Sequence, residues 1–282
     1  MGKVWLEYNG KPLYYSTKVL EKPEPKPYIR FQFTDTSYVP TVGESGCTAR
    51  YGTWMAYDAA NGIWDWTYEG TSWLSAFHNC LVSSILGSNN TVSIIEGNAY
   101  GITSMESMFI LCYSLTSVSN LDLSSVTSIK KIFMYDNSIT AVELLNTENL
   151  TTMEESFTYC DSLASLPLFD TRNVTNMYGA FECCESMEHF PLFDTSSVTN
   201  MRGMFAECYS LKDIPLYNTS SVTDAYGMFY RCKKVESGAL ALYQQMSTQA
   251  VPPATHTECF YQCGSETTTG AAELAQIPSD WK

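Results

Sequence analysis

The sequence repeats itself every 24 residues over roughly half of its length. Phenylalanine recurs at this interval, and the residues around each copy recur with it. A period of this size is typical of supersecondary units that bury their apolar faces only against neighbouring units. The chain is therefore constrained to a repeat architecture before any other property is considered. The recurring residues are Phe109, Phe133, Phe157, Phe181, Phe205 and Phe229.

Each repeat contains two patterns of apolar residues. From Val198 to Cys208 the spacings are three or four residues, which predicts one face of a short helix. From Leu211 to Leu216 the order is L-x-x-L-x-L, the pattern of a leucine-rich-repeat strand. We therefore predict an α/β repeat, a leucine-rich-repeat solenoid of 24-residue units, with parallel strands at 163–168, 187–192 and 211–216. A proline in each strand is expected to shorten it.

The consensus V-T-N-M-x-x-M-F-x-x-C-x-S-L-x-x-L-P-L-F-D-T-S resembles the BspA-like leucine-rich repeats of bacterial surface proteins, including the related repeats of mycoplasma surface lipoproteins. The resemblance covers about residues 99–245. It implies a right-handed solenoid on a cell surface, with adhesion or partner binding as its role. It implies no catalytic chemistry.

A cysteine follows the repeat phenylalanine by three residues in five of the copies. One recurring position cannot supply facing pairs, so we interpret these cysteines as small buried hydrophobic residues with reduced thiols. Asp136 holds the same position in the second copy. A local distortion or an outward turn is expected there, because it would keep the carboxylate in water.

The flanks follow other patterns. Asn9-Gly10 and Asn61-Gly62 each separate two aromatic-rich segments, which predicts two β-hairpins. Prolines alternate between the first hairpin and the next strand, which favours an extended spacer. Leu240 to Met246 has helical spacing. The predicted divisions are a hairpin at 1–20, a spacer at 21–27, a β-rich domain with the N-terminal cap at 28–98, the solenoid at 99–245 and a C-terminal cap at 246–282.

Charge and hydropathy exclude two classes of partner. The chain has 16 basic and 30 acidic residues and a net charge of −14, so it repels a nucleic-acid backbone. It has no apolar run of the roughly 18 to 20 residues that span a bilayer, so no membrane insertion is expected. The first residues lack a secretory signal. We interpret this as a mature or trimmed chain, or as a protein that leaves its cell without the secretion pathway.

The sequence offers little catalytic chemistry. Its histidines, His78, His189 and His256, lie far apart, and the common nucleophile, zinc-protease and phosphate-loop motifs are missing. Cys259 and Cys263 could chelate a metal or form a cross-link, but only His256 accompanies them. We predict no enzyme activity, no cofactor and no metal site, and leave the pairing of these two cysteines open.

Two sets of residues are candidates for recognition. An aromatic column directly after each strand could present a stripe for a sugar or protein, or could pack inward at the turn. Polar residues on the strand face could form an acid–base pair or a solvated surface. The tryptophans of the 28–98 domain could also stack on a sugar, with cross-strand packing as the alternative. The candidates are Phe169, Phe193 and Tyr217 in the aromatic column, and Glu188, His189, Lys212 and Asp213 on the strand face.

These observations favour a non-enzymatic surface binding or adhesion protein. The N-terminal module would attach to other subunits of a larger assembly, and the repeats would present a surface to a host protein or glycan. We place it first on a bacteriophage virion surface, and alternatively on a bacterial cell surface or secreted as a BspA-like adhesin. A structural decoration or cement protein of a particle is a further alternative. A glycan-acting enzyme, which needs paired carboxylates in a cleft, is the remaining one.

Overall fold

The computed structural model describes residues 7–8, 11–12, 26–43, 48–73, 76–77 and 90–282. The described parts contain eight strands and two α-helices. The helices are α1 (Ala239–Thr248) and α2 (Thr268–Gln276). The strands are β1 (Glu7–Tyr8), β2 (Lys11–Pro12), β3 (Tyr28–Phe33), β4 (Thr53–Asp58), β5 (Ile63–Thr67), β6 (Val92–Asn98), β7 (Leu115–Asp122) and β8 (Ala141–Leu145).

Six strands form one mixed sheet in the order β4-β5-β3-β6-β7-β8. The first three neighbouring pairs are antiparallel, whereas β6–β7 and β7–β8 are parallel. The β-rich segment and the first repeats therefore share one sheet, and their buried side chains belong to one hydrophobic core. β6 lies at the end of the 28–98 segment that was predicted to contain the N-terminal cap.

The hairpin predicted around Asn61-Gly62 is present, because β4 pairs with β5. Gly62 has a φ of 71°, which glycine adopts at low cost. β1 and β2 pair antiparallel on either side of positions 9 and 10. Most of the predicted spacer, residues 21–25, lies outside the described residues.

The predicted helix of each repeat is wrong. Gly203 and Glu207 both have a φ of 59°, in the left-handed region, and such a residue interrupts an α-helix. Their N–H groups donate to the carbonyls of Tyr226 and Tyr230 in the next repeat, at 2.9 and 2.7 Å. The N–H of Ala206 instead closes a turn on the Gly203 carbonyl at 3.0 Å. Alternate N–H groups thus bond to the neighbouring repeat and to a local turn, and residues 198–208 form a chain of turns.

The predicted strands of the later repeats are also wrong. Residues 163–168, 187–192 and 211–216 contain no strand, and only a single bridge joins Asp213 to Ser237. Pro167 stands where β8 has Glu143, and proline removes the N–H that a strand ladder needs. A leucine-rich-repeat solenoid of helix–strand units is therefore overturned by the mixed six-stranded sheet and by the absence of helices within residues 99–238.

The repeats are instead joined by hydrogen bonds and single parallel bridges. Bridges connect equivalent residues of consecutive repeats from Ser104 to Asp224. The phenylalanines predicted to anchor the units are buried and stack on one another. Ring centroids lie 5.5 Å apart for Phe109–Phe133, 5.8 Å for Phe181–Phe205 and 5.2 Å for Phe205–Phe229. These stacked phenylalanines form the centre of the core.

The eight cysteines in the described ranges are free and buried, as predicted for the five that follow a repeat phenylalanine by three residues. The thiols that follow a repeat phenylalanine by three residues donate to the phenylalanine carbonyl one repeat earlier, for example Cys160 Sγ to Phe133 O at 3.2 Å and Cys184 Sγ to Phe157 O at 3.3 Å. Cys183 instead donates to Glu207 Oε2 at 3.8 Å. Burial raises the pKa of these thiols, which disfavours the reactive thiolate.

Asp136 does not turn outward. Its side chain is fully buried, because the backbone repeats its hydrogen bonds here and places the residue at the cysteine position. Oδ1 accepts a hydrogen bond from the Cys112 N–H at 2.7 Å, and Oδ2 has no partner among the described residues. Burial raises the pKa of Asp136 well above its usual value, which favours the neutral form of the carboxyl.

The C-terminal segment leaves the repeat pattern at α1, where the helical spacing predicted a helix. Thr267 caps α2 by accepting a hydrogen bond from the Gly270 N–H at 3.0 Å. Trp281 is buried and stacks on His256 at 4.1 Å. Neither helix in the described ranges has the length and apolar character to cross a membrane.

Candidate binding surface

Three leucines at equivalent positions of consecutive repeats are exposed. Leu168, Leu192 and Leu216 expose 67%, 59% and 56% of their surface, and we call them the leucine row. Each follows a proline and precedes a buried aromatic residue. The row is the most regular apolar feature on the described surface, since its members recur at one position of the repeat.

Proline explains why these leucines face outward. In β8, which has no proline, Leu144 is buried and Leu145 is partly exposed. In the later repeats the N–H of Phe193 donates to the Pro191 carbonyl at 3.0 Å, which makes Leu192 the centre of a γ-turn. The turn reverses the inward and outward positions. The sequence pattern counted the leucine as a core residue, and the preceding proline was the signal that it is not.

The aromatic column that follows the leucines is not a recognition stripe. Phe169, Phe193 and Tyr217 are buried, and their rings stack on the phenylalanines of the core. Tyr217 also donates its hydroxyl to the Pro191 carbonyl at 3.1 Å. The γ-turn brings these larger rings inward, which buries more apolar area than the leucines would.

The four polar candidates precede the leucines by three or four residues in the chain, and they pair between adjacent repeats. Lys212 Nζ donates to Glu188 Oε2 at 2.6 Å, and His189 Nδ1 bonds to Asp213 Oδ1. Lys212 lowers the pKa of Glu188 through its hydrogen bond and its charge. All four side chains remain largely in water, where an ion pair such as Lys212–Glu188 is weak. They form a hydrated polar border on the N-terminal side of the leucines rather than a desolvated catalytic pair.

A second border lies beyond the leucines. Asp170 pairs with Arg172, with 2.5 Å between Oδ2 and the guanidinium, and this lowers the pKa of Asp170. Asp194 accepts hydrogen bonds from the Ser196 N–H and hydroxyl at 3.1 and 2.7 Å. A shallow depression between Leu168 and Leu192 is bounded by these side chains. We call the leucine row with its two polar borders the leucine face.

A sequence profile matches residues 77–190 and again residues 164–263, together more than half of the chain. The family is described as Mycoplasma protein of unknown function, DUF285. The chain belongs to this family. No curated protein and no solved structure matches it. Residues 164–190, which lie within both matches, include the first leucine of the row.

The remaining predicted residues of this DUF285 member do not join the leucine face. His78 lies outside the described residues. His256 donates its Nδ1 hydrogen to the Pro253 carbonyl at 3.2 Å, and its Nε2 lies 3.6 Å from Asp280. Cys259 and Cys263 are free and buried. In the part of the chain that the structure describes, no cluster of three or more histidine, cysteine, aspartate or glutamate side chains could hold a metal.

Tryptophan packing in the β-rich segment is mainly internal. Trp54 lies opposite Trp66 across the β4–β5 pair. Trp66 is buried and donates its Nε1 hydrogen to the Tyr51 carbonyl at 2.7 Å. Trp64 packs against the core and is only partly buried. The cross-strand arrangement therefore accounts for these rings without a sugar ligand.

Proposed function

We propose that this DUF285 member is a non-enzymatic binding protein, and that the leucine face binds an apolar surface of a partner protein. The observation that carries this proposal is the leucine row, which repeats at one position without contributing to the core. Exposed apolar residues aligned between polar borders are characteristic of interaction sites. Scattered single leucines would carry no such argument.

The energetics suit a binding surface. Fully burying one leucine contributes about 1.5–3 kcal/mol. Each leucine of the row still exposes more than half of its surface, so contact with a partner would gain about 1–2 kcal/mol per residue. Three such residues in a line form a compact hot spot. The ion-paired borders would orient the partner while adding little affinity.

The proposed setting is the surface of a bacterial cell. The family described from mycoplasmas, together with the resemblance of the consensus to BspA-like surface proteins, supports this setting over a virion. In either setting the N-terminal segment that contains β1 and β2 would attach the chain to its assembly. Neighbouring genes would distinguish the two settings, because tail or capsid genes would favour the virion.

The test compares three immobilised proteins. They are the wild type, the triple variant Leu168→Ser, Leu192→Ser and Leu216→Ser, and the control Val251→Ser, which alters a branched apolar residue that is 74% exposed outside the row. Each is incubated with solubilised surface proteins of candidate host cells, and retained proteins are quantified by mass spectrometry. Any protein retained is then purified and its affinity measured by calorimetry.

We expect a purified partner to bind the wild type and the control equally, and the triple variant at least about tenfold more weakly, equivalent to 1.4 kcal/mol. Thermal melts should be the same for all three proteins. Equal affinity for the triple variant would refute the leucine face as the binding surface.

A further inference from the structure

A separate groove crosses the turns of three consecutive repeats, and its floor is made of glycine. Gly203 and Gly227 have φ values of 59° and 58°. At the equivalent position, earlier repeats have Lys131 and Glu155 with φ values of 56° and 51°. The fold therefore accepts large side chains in this left-handed conformation.

Packing does not require these glycines either. A Cβ atom at Gly203 would meet nothing closer than Ala206 Cβ at 4.0 Å, and one at Gly227 nothing closer than Tyr230 Cβ at 3.7 Å. The left-handed backbone favours glycine but does not require it, and no atom near Gly203 or Gly227 excludes a side chain. Three successive repeats, of which Gly179 is the first, nonetheless lack side chains at this position. The consequence of their absence is an open space along the surface.

The open space has a volume of about 300 Å³, which matches the lower range of small-ligand sites. The groove extends over three neighbouring repeats. The core phenylalanines of these repeats lie 5.8 and 5.2 Å apart between ring centroids. The two walls are aromatic and charged. In the second wall the middle of the three repeats contributes only the small side chain of Ala206. The principal wall residues are Tyr178, Arg202 and Tyr226 on one side and Glu182 and Tyr230 on the other.

Two charged groups of the walls lack partners of opposite charge. Arg202 lies over the Tyr226 ring at 4.2 Å, and in the described ranges it forms no ion pair. Within the same ranges the Glu182 carboxylate accepts no hydrogen bond. Burial, and then the charges of Glu207 and Glu155, raise the pKa of Glu182. A donor brought by a ligand would therefore replace water at a partly buried carboxylate that has no protein donor among the described residues.

We propose that this groove binds a neutral saccharide. Two carboxylates line the groove beside the guanidinium, but Glu258 already accepts a hydrogen bond from the Tyr226 hydroxyl at 2.6 Å, so Arg202 and Glu182 are the charged groups left to a ligand. The carboxylates oppose a simple anion, and the guanidinium opposes a simple cation. A sugar hydroxyl can accept a hydrogen bond from Arg202 and donate one to Glu182, because a hydroxyl is both donor and acceptor. Tyr178 and Tyr230 add apolar rings with polar edges, which suit the faces of a sugar ring. The glycine floor allows such a ring to approach the backbone.

The saccharide site is independent of the leucine face, and its test uses other variants. The probes are neutral oligosaccharides of α-1,4-linked glucose, β-1,4-linked glucose, β-1,4-linked N-acetylglucosamine, and a galactose-terminated chain. Binding is measured by saturation-transfer NMR and calorimetry on the full chain. Gly203→Lys fills the groove with the residue type that an earlier repeat holds at this position, and Glu182→Gln removes the free carboxylate at constant size.

Gly101→Lys is the matched control. Gly101 has a φ of 75°, and a Cβ atom there would meet nothing within 4 Å, so the variant adds the same charge and a similar backbone strain outside the groove. We expect at least one oligosaccharide to bind the wild type and Gly101→Lys within about twofold of each other. Gly203→Lys and Glu182→Gln should each weaken that binding at least about tenfold.

The proposal fails if no oligosaccharide of the panel binds, or if binding survives both groove variants. Glu182→Gln keeps the test valid should Gly203→Lys lose its fold, which a thermal melt would reveal. Loss of saccharide binding with intact leucine-face binding, or the reverse, would separate the two proposals.

Discussion

Replacing the buried Asp136 by cysteine should stabilise the protein, and by an amount that grows with pH. The change installs the residue that sister repeats use at this position. There the Cys184 sulfur donates to the Phe157 carbonyl and accepts from the Cys160 N–H. A cysteine at position 136 would likewise donate to the Phe109 carbonyl and accept from the Cys112 N–H. The variant therefore removes a buried carboxyl without leaving a backbone group unpaired.

The magnitude has two parts. Asp136 Oδ2 is a buried polar atom without a partner, and such an atom costs about 1–3 kcal/mol at any pH. The second part is proton linkage. An unfolded aspartate ionises near pH 4, whereas burial raises the native pKa of Asp136, so above pH 4 the native chain binds more protons than the unfolded chain.

Stability from this group is therefore lost as pH rises. The loss is about 1.4 kcal/mol per pH unit for as long as the native carboxyl stays neutral, which amounts to at most about 4 kcal/mol between pH 4 and pH 7. The advantage of Asp136→Cys should be about 1–3 kcal/mol at pH 4 and should increase towards pH 7 with this slope.

Urea unfolding in reducing buffer, from pH 4.5 to pH 7, measures the effect. Other groups titrate in this range, so the informative quantity is the difference in free energy of unfolding between the wild type and the variant at each pH. Asp136→Asn is the control, because it keeps a polar side chain but cannot ionise. Its difference from Asp136→Cys should be independent of pH. A wild-type-to-cysteine difference that stays constant from pH 4.5 to pH 7 would refute a neutral buried carboxyl.

Three further outcomes are expected. Phe205→Ala should destabilise the protein by about 3–5 kcal/mol, because it opens a cavity among the stacked core phenylalanines. Urea unfolding measures this loss, and a value below about 1 kcal/mol would contradict the place of Phe205 in the core. Gly238→Ala should cost at least about 1–3 kcal/mol, because φ is 99° and the new Cβ would lie 2.3 Å from the Ile214 carbonyl oxygen; an unchanged melting temperature would be inconsistent with this strain. The eight described cysteines should react with a thiol reagent only after denaturation without reductant, since burial raises their pKa values and blocks access; rapid reaction of most thiols in the native protein would disprove it.

The sequence allowed the repeat period, the buried phenylalanines, the Asn61-Gly62 hairpin and α1 to be predicted, because each depends on local or strictly periodic signals. The conformation of the turns was not predictable from apolar spacing alone. A chain of turns with every fourth residue left-handed, such as Gly203 and Glu207, places its apolar residues at the same intervals as a helix. The glycines that recur at one position indicate a left-handed residue there. Nothing in the sequence indicates that Glu207 is also left-handed.

The candidate site was predicted only in part. Glu188, His189, Lys212 and Asp213 lie together because equivalent positions of adjacent repeats become neighbours. The leucine row was missed, since the pattern gave the inward position to the leucine. The proline before each leucine determines whether the leucine faces the core or the solvent. Without it β8 buries Leu144, and with it the γ-turn exposes Leu192 and buries Phe193.

Both proposed surfaces arise from the same property of the backbone. Because each repeat donates hydrogen bonds to the next at fixed positions, any residue type repeated at one position becomes a continuous column on the surface. The earlier repeats fill these columns with ordinary residues, with Leu144 buried and with Lys131 and Glu155 in the turns. Only residues 164–230 expose leucines in one column and glycines in another. The hydrogen bonds of the turns continue through both halves and accept large side chains as well as glycine, so the turns do not require this difference. A binding role for the surface of these three repeats would explain it, and both binding proposals therefore lie there rather than along the whole array.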